Sequence, residues 1–478
     1  MTLARYVLTV WGCALTVVSL SGCVSSRSGS LADVGLDVPE TWSNTGNGVA
    51  GVPEPWLADL GCPELPVLVA EGLSGNFSLK MASARLRSSQ AQLWVTRAGL
   101  FPSVDAEVAG SRTRWNTETD GGVVPSRVVS TRANLAVSWE ADLWGRVRYG
   151  VWAAKADAQA AGADVAAARL SLAGQIAKAW FGAISATRQL ELAGKTLESY
   201  RNSQTVIEEQ YGAGATSALD VRLIRADVAG VRRRVAADTL LRDRAVKALE
   251  VLLGRHPAGT LAVPSELPAL SASVPAGLPA ELLERRPDLL AAVRRYDATT
   301  ALATQAHRNR LPSLRLTASG GTASDELKNL LDWDYLVWTL AENLAAPVFD
   351  AGALKARAQG AEANVDAALA EYAQAVQMAF LDMELALTAE TLLREEESAL
   401  DVVVTESVEA ERIALEQYQG GLVDVITLLS TQRRVFEARE NLIDIKNRRL
   451  QSRVDLHLAL GGAFETEPDD VGGEAGGR

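Results

Sequence analysis

The sequence predicts a mainly α-helical protein with two similar halves, each of which also carries a pair of β-strands suited to a transmembrane β-barrel. Three observations support this fold class. The chain has 478 residues and 16 prolines, yet none lies between Pro125 and Pro257 or between Pro347 and Pro468. The same glycines and tyrosines recur at one fixed offset along the chain. Short segments of alternating polarity precede each proline-free block.

Each proline-free block is predicted to form very long helices, because proline breaks helix interiors. Both blocks are rich in alanine, leucine, glutamate, arginine and glutamine, which are strong helix formers. In the second block an apolar seam follows at steps of three or four residues: Val365, Leu369, Tyr372, Val376, Phe380, Met383 and Leu387. The first block has a sparser version among alanines, at Val165, Leu172 and Ile176. This near-heptad period predicts helices packed along their length.

The two blocks are copies of one pattern. The matching pairs are Gly145 with Gly352, Tyr211 with Tyr418, Gly214 with Gly421, and Gly254 with Gly461, each pair 207 residues apart. One offset that holds without a gap over more than a hundred positions indicates an internal duplication. Two copies are too few for a solenoid, so we expect one pseudo-symmetric unit.

Within each copy the spacing predicts a helical hairpin. From Gly145 to Tyr211 is 66 residues, which makes a helix of about 100 Å at the usual rise. The stretches "YGAGATS" (211–217) and "YQGGLVD" (418–424) supply glycines that end a helix. Ser217 and Asp424 then suit the N-cap of a returning helix. Each stretch is therefore predicted to be a hairpin tip.

Four alternating segments, at about 103–115, 131–140, 312–320 and 335–345, predict strands of roughly ten residues in two hairpins. Their predicted turns are the polar stretches "NTETDGG" and "GGTASDE". Five tryptophans lie in or beside these segments, as in the aromatic girdle of a membrane barrel: Trp115, Trp139, Trp144, Trp333 and Trp338. A small soluble sheet with tryptophan in its core is the alternative. Four strands cannot close a barrel, and an open edge in lipid costs several kcal/mol per unpaired backbone group. Membrane insertion therefore requires that several chains pool their strands.

The N-terminus predicts an export signal. Residues 1–22 contain one early arginine, an apolar run and "LSG" before Cys23. This arrangement is similar to the lipobox of bacterial lipoproteins, which implies cleavage before Cys23, acylation of its thiol, and a lipidated linker over 23–55. A plain signal peptide, or a cysteine placed there by chance, is the alternative. At the other end, residues 464–478 are predicted to be a disordered tail.

Composition excludes several functional classes. A net charge of −12 argues against nucleic acid as a partner, and a mean hydropathy of +0.04 argues against a polytopic helical membrane protein. Cys62 is the single cysteine left after Cys23, so neither a disulfide nor a cysteine metal cluster is expected. The three histidines, His256, His307 and His457, are far apart and are interpreted as surface or packing residues. No catalytic constellation is found, so we expect neither an enzyme, nor a metal, nor a cofactor other than the lipid.

Four stretches are similar to motifs of one known family: "GLPAELLERRPDLLAAVRR" (277–295), "WEADLWGRVR" (139–148), "PVFDAGALKAR" (347–357) and "LLSTQRRVF" (428–436). They resemble the TolC-like outer membrane factors, in particular the NodT-like lipoprotein branch that serves RND efflux pumps. The resemblance covers roughly residues 52–463. Val293 departs from it, because the family usually has glutamate there.

The resemblance implies a homotrimer in the outer membrane, with twelve strands in one shared β-barrel and twelve helices in a periplasmic α-barrel. Each chain would supply a first repeat (56–262) and a second repeat (263–463). The implied function is passive conduction of drugs or other small molecules to the exterior. The implied partners are a periplasmic adaptor (membrane fusion protein), an inner-membrane RND transporter and outer membrane lipid. A type I secretion channel and a pore-less coiled-coil scaffold lipoprotein are the alternatives.

Two sets of site residues follow from the resemblance. The adaptor is expected to dock on the tips, at Ala213, Gly214, Ala215, Thr216, Ser217, Gly420, Gly421 and Leu422. Related ducts narrow at an aspartate ring, whose places here are held by Val423, Thr427 and Ser430, so Asp220 and Asp424 beside them are the candidate periplasmic gate. Three copies of one carboxylate would repel, raise each other's pKa and favour cations. The alternatives are helix caps only for the tips, an N-cap for Asp424, and a solvated helix face for Asp220.

Overall fold

The computed structural model describes residues 56–270 and 283–462, together with Gly35, Leu36, Pro39 and Trp42. The predicted signal peptide, Cys23, nearly all of the predicted linker and the predicted tail (464–478) lie outside the described residues. Within them the α-helices are α1 (Trp56–Asp59), α2 (Leu65–Gly75), α3 (Phe77–Ala98), α4 (Arg146–Gly212), α5 (Ala218–Leu252), α6 (Pro287–Arg308), α7 (Ala353–Gln419) and α8 (Val425–Ala459). The strands are β1 (Ser103–Thr119), β2 (Gly122–Ala141), β3 (Ser313–Ser324) and β4 (Leu336–Ala345). None of the described helices is long and apolar enough to cross a membrane.

The four strands form one antiparallel sheet in the order β1-β2-β3-β4, with β1 and β4 at its edges. The prediction of ten-residue strands is wrong for the first hairpin, where β1 has 17 residues and β2 has 20. Most of "NTETDGG" continues the ladder until Thr119 pairs with Gly122, because alternating threonines suit a strand as well as a loop. In the second hairpin, "GGTAS" also belongs to β3. The connection at 325–335 contains the two short 3₁₀ helices Leu327–Asn329 and Trp333–Tyr335.

The register gives the sheet one polar and one apolar face, because directly paired residues project to the same side. The polar face carries Asp105, Glu107, Arg132, Asn134, Glu140, Arg315, Thr317 and Asn343. The apolar face carries Val104, Val108, Leu135, Val137, Leu314, Leu316, Trp338, Leu340 and Leu344. Trp139 also lies on the apolar face, whereas Trp115 lies on the polar face and therefore does not fit the predicted girdle.

The chain divides into two compact units. Among the described residues, the first contains 97–153 and 297–369, with the sheet and the helix ends that adjoin it. There the indole Nε1 of Trp144 donates to the carbonyl oxygen of Pro312 at 2.6 Å, and that of Trp139 donates to Leu100 at 3.0 Å. Both bonds fix tryptophans at strand ends, where a polar indole N–H needs a partner.

Among the described residues, the second unit contains Pro39, Trp42, 56–96, 154–270, 283–296 and 370–462. Its largest core packs α1–α3 against the middle of α4 and the ends of α5 and α8, around Trp56, Leu65, Ile176, Phe181 and Leu249. A second cluster seats Trp42 against Phe380, Met383 and Leu460. The RRPD stretch also has a structural role in this unit. The Arg286 guanidinium bonds both Asp288 (2.8 Å) and Asp382 (3.2 Å), and so ties the start of α6 to α7.

The two halves fold alike. Helices α4 and α7 have 67 residues each, and α5 and α8 have 35 each. All six duplicated glycines have positive φ, between +71° and +88°: Gly145, Gly352, Gly214, Gly421, Gly254 and Gly461. The glycines that repeat 207 residues apart in the sequence therefore share one left-handed backbone conformation, which glycine adopts without steric cost.

Candidate functional site

The first tip is a Schellman helix end. The Ala215 N–H donates to the carbonyl of Gln210 (2.8 Å) and the Gly214 N–H to that of Tyr211 (3.0 Å). Gly214 occupies the left-handed position at φ +76°, which this motif assigns to glycine. This motif therefore ends α4 at Gly212, and the chain turns back toward α5.

The second tip repeats these bonds. The Leu422 N–H donates to Gln417 (2.8 Å) and the Gly421 N–H to Tyr418 (3.0 Å), with Gly421 at φ +71°. A Cβ built on Gly214 or Gly421 would meet no atom within 4 Å. The backbone of both tips is therefore open to a partner, and no neighbour within the chain requires these glycines.

Each returning helix begins with a side-chain cap. Ser217 caps α5 in a capping box, in which its hydroxyl accepts from the Asp220 N–H while the Asp220 carboxylate accepts from the Ser217 N–H. The Thr216 hydroxyl also donates to Asp220, at 2.7 Å. Asp424 caps α8 by accepting from the N–H (2.8 Å) and the hydroxyl (2.7 Å) of Thr427.

These bonds set the charge state of the two carboxylates. The Ser217 hydroxyl, then that of Thr216, lowers the pKa of Asp220 below its ordinary value. The Thr427 hydroxyl and N–H lower the pKa of Asp424, while the nearby Asp220 charge acts in the opposite direction. Both tips are therefore anionic at neutral pH. Asp220 lies in a capping box in the first turn of α5, where its bonds to Ser217 are exposed to solvent. The gate role of the two aspartates stays a prediction.

Beneath the tips the two hairpins share one small core, formed by Tyr200, Ile207, Val221, Ile224, Val228, Tyr418, Val425, Leu428 and Leu429. The Tyr418 hydroxyl donates to the Gln210 side chain at 2.5 Å, which joins the last turn of α7 to that of α4. Outside this core, the large apolar side chains that remain exposed around the tips include Tyr211, Leu219, Leu422 and Ile426. Leu422 is 78% exposed. The tips thus combine open backbone, exposed leucines and fixed negative charge.

A buried ionic cluster escaped the sequence interpretation. Arg453 and His457 of α8 are fully buried. Arg453 bonds Glu390 (2.7 Å) and Asp59 (3.1 Å), and His457 Nε2 lies 3.0 Å from Asp59. The signal in the sequence was that Arg453 and His457 are four residues apart, and so share one face of a helix, in a segment that also carries Leu450, Val454 and Leu456. The cluster fastens α1 to α7 and α8, and His457 is a packing residue as expected.

Cys62 is also buried. Its sulfur accepts from the Trp180 indole (3.1 Å) and donates to Glu64 (3.2 Å). Burial raises the pKa of the thiol, so Cys62 is a packing group with little thiolate character. No group of three or more His, Cys, Asp or Glu residues that could hold a metal occurs in the described part of the chain.

Comparison with known proteins identifies the family. The model of the outer membrane efflux protein family matches residues 68–255 and 278–462. Outer membrane protein OprJ of Pseudomonas aeruginosa is 31% identical over 95% of this chain and 96% of its own. The antibiotic efflux pump outer membrane protein ArpC of Pseudomonas putida is 31% identical over 94% of this chain and 95% of its own. The open-state MtrE outer membrane channel of Neisseria gonorrhoeae is 30% identical, with a TM-score of 0.78 over 89% of this chain and 96% of that one.

The chain therefore belongs to the outer membrane efflux protein family. It is an efflux duct of the outer membrane with a long helical extension. The predicted resemblance, fold class and location are confirmed.

Proposed function

We propose that three copies of this chain form the exit duct of a tripartite RND-type efflux pump, which conducts drugs or other small molecules passively out of the periplasm. The observation that carries the proposal is the open sheet. Its four strands have two unpaired edges, one polar face and one apolar face with exposed valine, leucine and tryptophan. In lipid such a sheet is stable only if β1 of one copy pairs with β4 of the next. Three copies supply twelve strands, within the range of membrane barrels.

The polar face then lines the duct. Its aspartate, glutamate, arginine and asparagine side chains suit a water-filled lumen, whereas the apolar face suits lipid. This division supports passive conduction, because a water-filled lumen lined by polar side chains lets solutes diffuse through. The relative named as an antibiotic efflux pump component favours efflux over type I secretion, which shares the architecture.

The tips are proposed to dock the helical tips of a periplasmic adaptor, at Ala213, Gly214, Ala215, Thr216, Ser217, Gly420, Gly421 and Leu422. The adaptor couples the duct to the inner-membrane transporter. Asp220 and Asp424, at the same end, are proposed to form an acidic constriction that opens when the adaptor docks. Cys23 is proposed to carry a lipid that adds a second anchor to the barrel.

Pore formation and adaptor docking are tested separately. The purified protein is expected to be a trimer that conducts ions across a planar bilayer; a pore-less scaffold gives no conductance. A deletion strain is expected to become sensitive to drugs and to recover with the wild-type gene. Leu422→Glu is expected to keep the conductance but fail to restore resistance, because a charge now lies on the docking surface.

The matched control is Leu331→Glu in the β3–β4 connection, where the leucine is 85% exposed and distant in sequence from both tips. This control is expected to restore resistance fully. Equal recovery by Leu422→Glu contradicts docking at the tips.

The proposed lipid on Cys23 is tested by labelling with radioactive palmitate. The label is expected in the wild type and is expected to be absent in Cys23→Ser.

A further inference from the structure

Three arginines stand together on the apolar face of the first hairpin. Along β1, Val104, Val108, Arg112 and Arg114 project to one side, because they differ by even numbers of residues. Arg114 pairs directly with Arg127 of β2, and Arg112 pairs with Val129. The triad of Arg112, Arg114 and Arg127 therefore shares a face with the apolar residues of the strands, and all three side chains are exposed.

The triad has no acidic partner among the residues that the structure describes. None of its members forms an ion pair with a described residue, and Arg114 faces Arg127 across the ladder. Directly opposed side chains have Cβ atoms about 5 Å apart, and like charges at that spacing are destabilising. The arginines of the opposite face differ. Arg132 is paired with Glu107 at 3.1 Å, and Arg315 is directly opposite Glu140. Among the arginines of the described sheet, only the triad thus has neither an ion pair nor a carboxylate directly opposite; Glu118 lies on the same face but four residues beyond Arg114, and it forms no ion pair with the triad.

The triad lies where the apolar band ends. Arg112 follows Val104 by eight residues, about 27 Å along a strand at the usual rise. A barrel tilt of about 40° reduces this to about 20 Å along the membrane normal, and an outward apolar band is about 25 Å tall. The β1–β2 turn is the end of the hairpin farthest in sequence from the helices. In an outer membrane duct with periplasmic helices, this end meets the headgroups of the outer leaflet.

We propose that Arg112, Arg114 and Arg127 bind the phosphate groups of an outer-leaflet glycolipid whose acyl chains lie against the apolar strands. Arginine presents a planar fork of donors that matches phosphate. One bound phosphate also removes the repulsion between Arg114 and Arg127. The continuity of the triad with Val104 and Val108 favours a lipid over a free anion, since a single lipid occupies both surfaces. This proposal rests on the duct proposed above.

The test compares two double variants of the full-length protein in detergent. Arg114→Gln with Arg127→Gln removes two charges from the triad. Arg132→Gln with Arg315→Gln removes the same charge from the polar face of the same sheet. Each protein is titrated with bisphosphorylated lipid A, with its dephosphorylated form and with inorganic phosphate. Bound lipid is counted by native mass spectrometry, and the thermal midpoint is recorded.

The wild type is expected to bind the phosphorylated lipid about tenfold tighter than the dephosphorylated one, since each charge-assisted hydrogen bond contributes strongly. The triad variant loses this preference and the lipid-dependent rise in midpoint, while the control keeps both. Without lipid, the triad variant is expected to be at least as stable as the wild type. Inorganic phosphate is expected to produce no rise.

Three outcomes overturn the proposal: no preference in the wild type, an equal loss in the control, or an equal effect of inorganic phosphate. Trimer mass and bilayer conductance are measured on the same samples. A conducting trimer without lipid preference contradicts the arginine site alone, whereas a sample that neither trimerises nor conducts contradicts the proposed duct.

Discussion

A single glycine decides where each long helix ends. Gly214 adopts φ +76°, which an L-residue enters at a cost of about 1–2 kcal/mol. Space does not limit this position, because a Cβ there would touch nothing. Gly212, two residues earlier, is helical and equally open, and there alanine is the better helix former by about 1 kcal/mol.

Substitution of these two glycines by alanine is therefore expected to change the local stability of the tip in opposite directions. Gly214→Ala is expected to speed hydrogen exchange of the tip amides about tenfold, whereas Gly212→Ala slows it or leaves it unchanged. Exchange measured by mass spectrometry on peptides spanning 205–225 gives the comparison. Equal exchange in both variants contradicts the role assigned to the positive φ.

His457 links stability to pH. Burial lowers its pKa below the ordinary value, although the Asp59 carboxylate acts in the opposite direction. Asp59, Glu390, Arg453 and the Trp56 ring face it. A depressed folded-state pKa means that protons bind the unfolded chain more readily. The stabilising contribution is complete above the unfolded pKa of about 6.5 and is lost as pH falls through the folded value.

Thermal unfolding in detergent at several pH values tests the direction of this pH dependence. The midpoint of the wild type is expected to fall as pH decreases from about 7 to 5, and His457→Gln is expected to flatten that part of the curve. His256→Gln removes an exposed histidine and serves as the control. Parallel curves for the wild type and His457→Gln argue against the buried histidine as the cause.

At the scale of elements, α2 and the end of α5 cross at two glycines. A Cβ on Gly254 would lie 2.8 Å from the backbone of Gly75, and a Cβ on Gly75 would lie 2.6 Å from the Leu253 carbonyl. The Asn76 side chain donates to the Leu252 carbonyl at 3.0 Å beside them. This crossing closes the first hairpin onto the N-terminal helices.

Gly254→Ala is therefore expected to destabilise the fold more than Gly352→Ala does. Both glycines have similar φ, +78° and +84°, but Gly352 has open space around its Cα. Gly352→Ala reports the backbone cost alone, about 1–2 kcal/mol. Gly254→Ala adds a clash with backbone that cannot move aside. Thermal midpoints of the two variants give the difference, and equal midpoints rule out the close crossing.

Helices were easier to predict than strands for a physical reason. Gly214 and Gly421 terminate helices through local backbone geometry, so their spacing alone locates the tips. The outer end of β1 is polar on both faces, with Asn116 and Glu118 on one side and Thr117 and Thr119 on the other, and "NTET" (116–119) therefore has the composition of a loop. The cluster of Asp59, Arg453 and His457 depends on contacts nearly 400 residues apart in the chain, which no local pattern contains.

At the scale of the whole molecule, one face of α7 remains exposed in the described part of the chain. Met378, Leu381, Leu385 and Leu392 recur along α7 at steps of three, four and seven, and all are exposed. They lie on the side of the helix opposite to Val376, Met383 and Glu390, which are buried within the chain. An apolar stripe of helical period predicts a second packed helix. In the proposed trimer that helix belongs to the next copy.

Leu385→Lys with Leu392→Lys is expected to separate the copies without unfolding the chain, because each lysine forces a charge into an apolar contact between helices. Light scattering after size exclusion in detergent should show the mass of one chain, with helical circular dichroism retained. Gln377→Lys with Thr391→Lys adds the same charge at exposed polar positions of the same helix, and should remain trimeric. If the leucine variant keeps the trimer mass, the stripe faces water or another partner, and contact between copies must be sought on a different helix. If it separates, conductance must disappear with the trimer, because a lone sheet keeps both edges open and cannot line a pore.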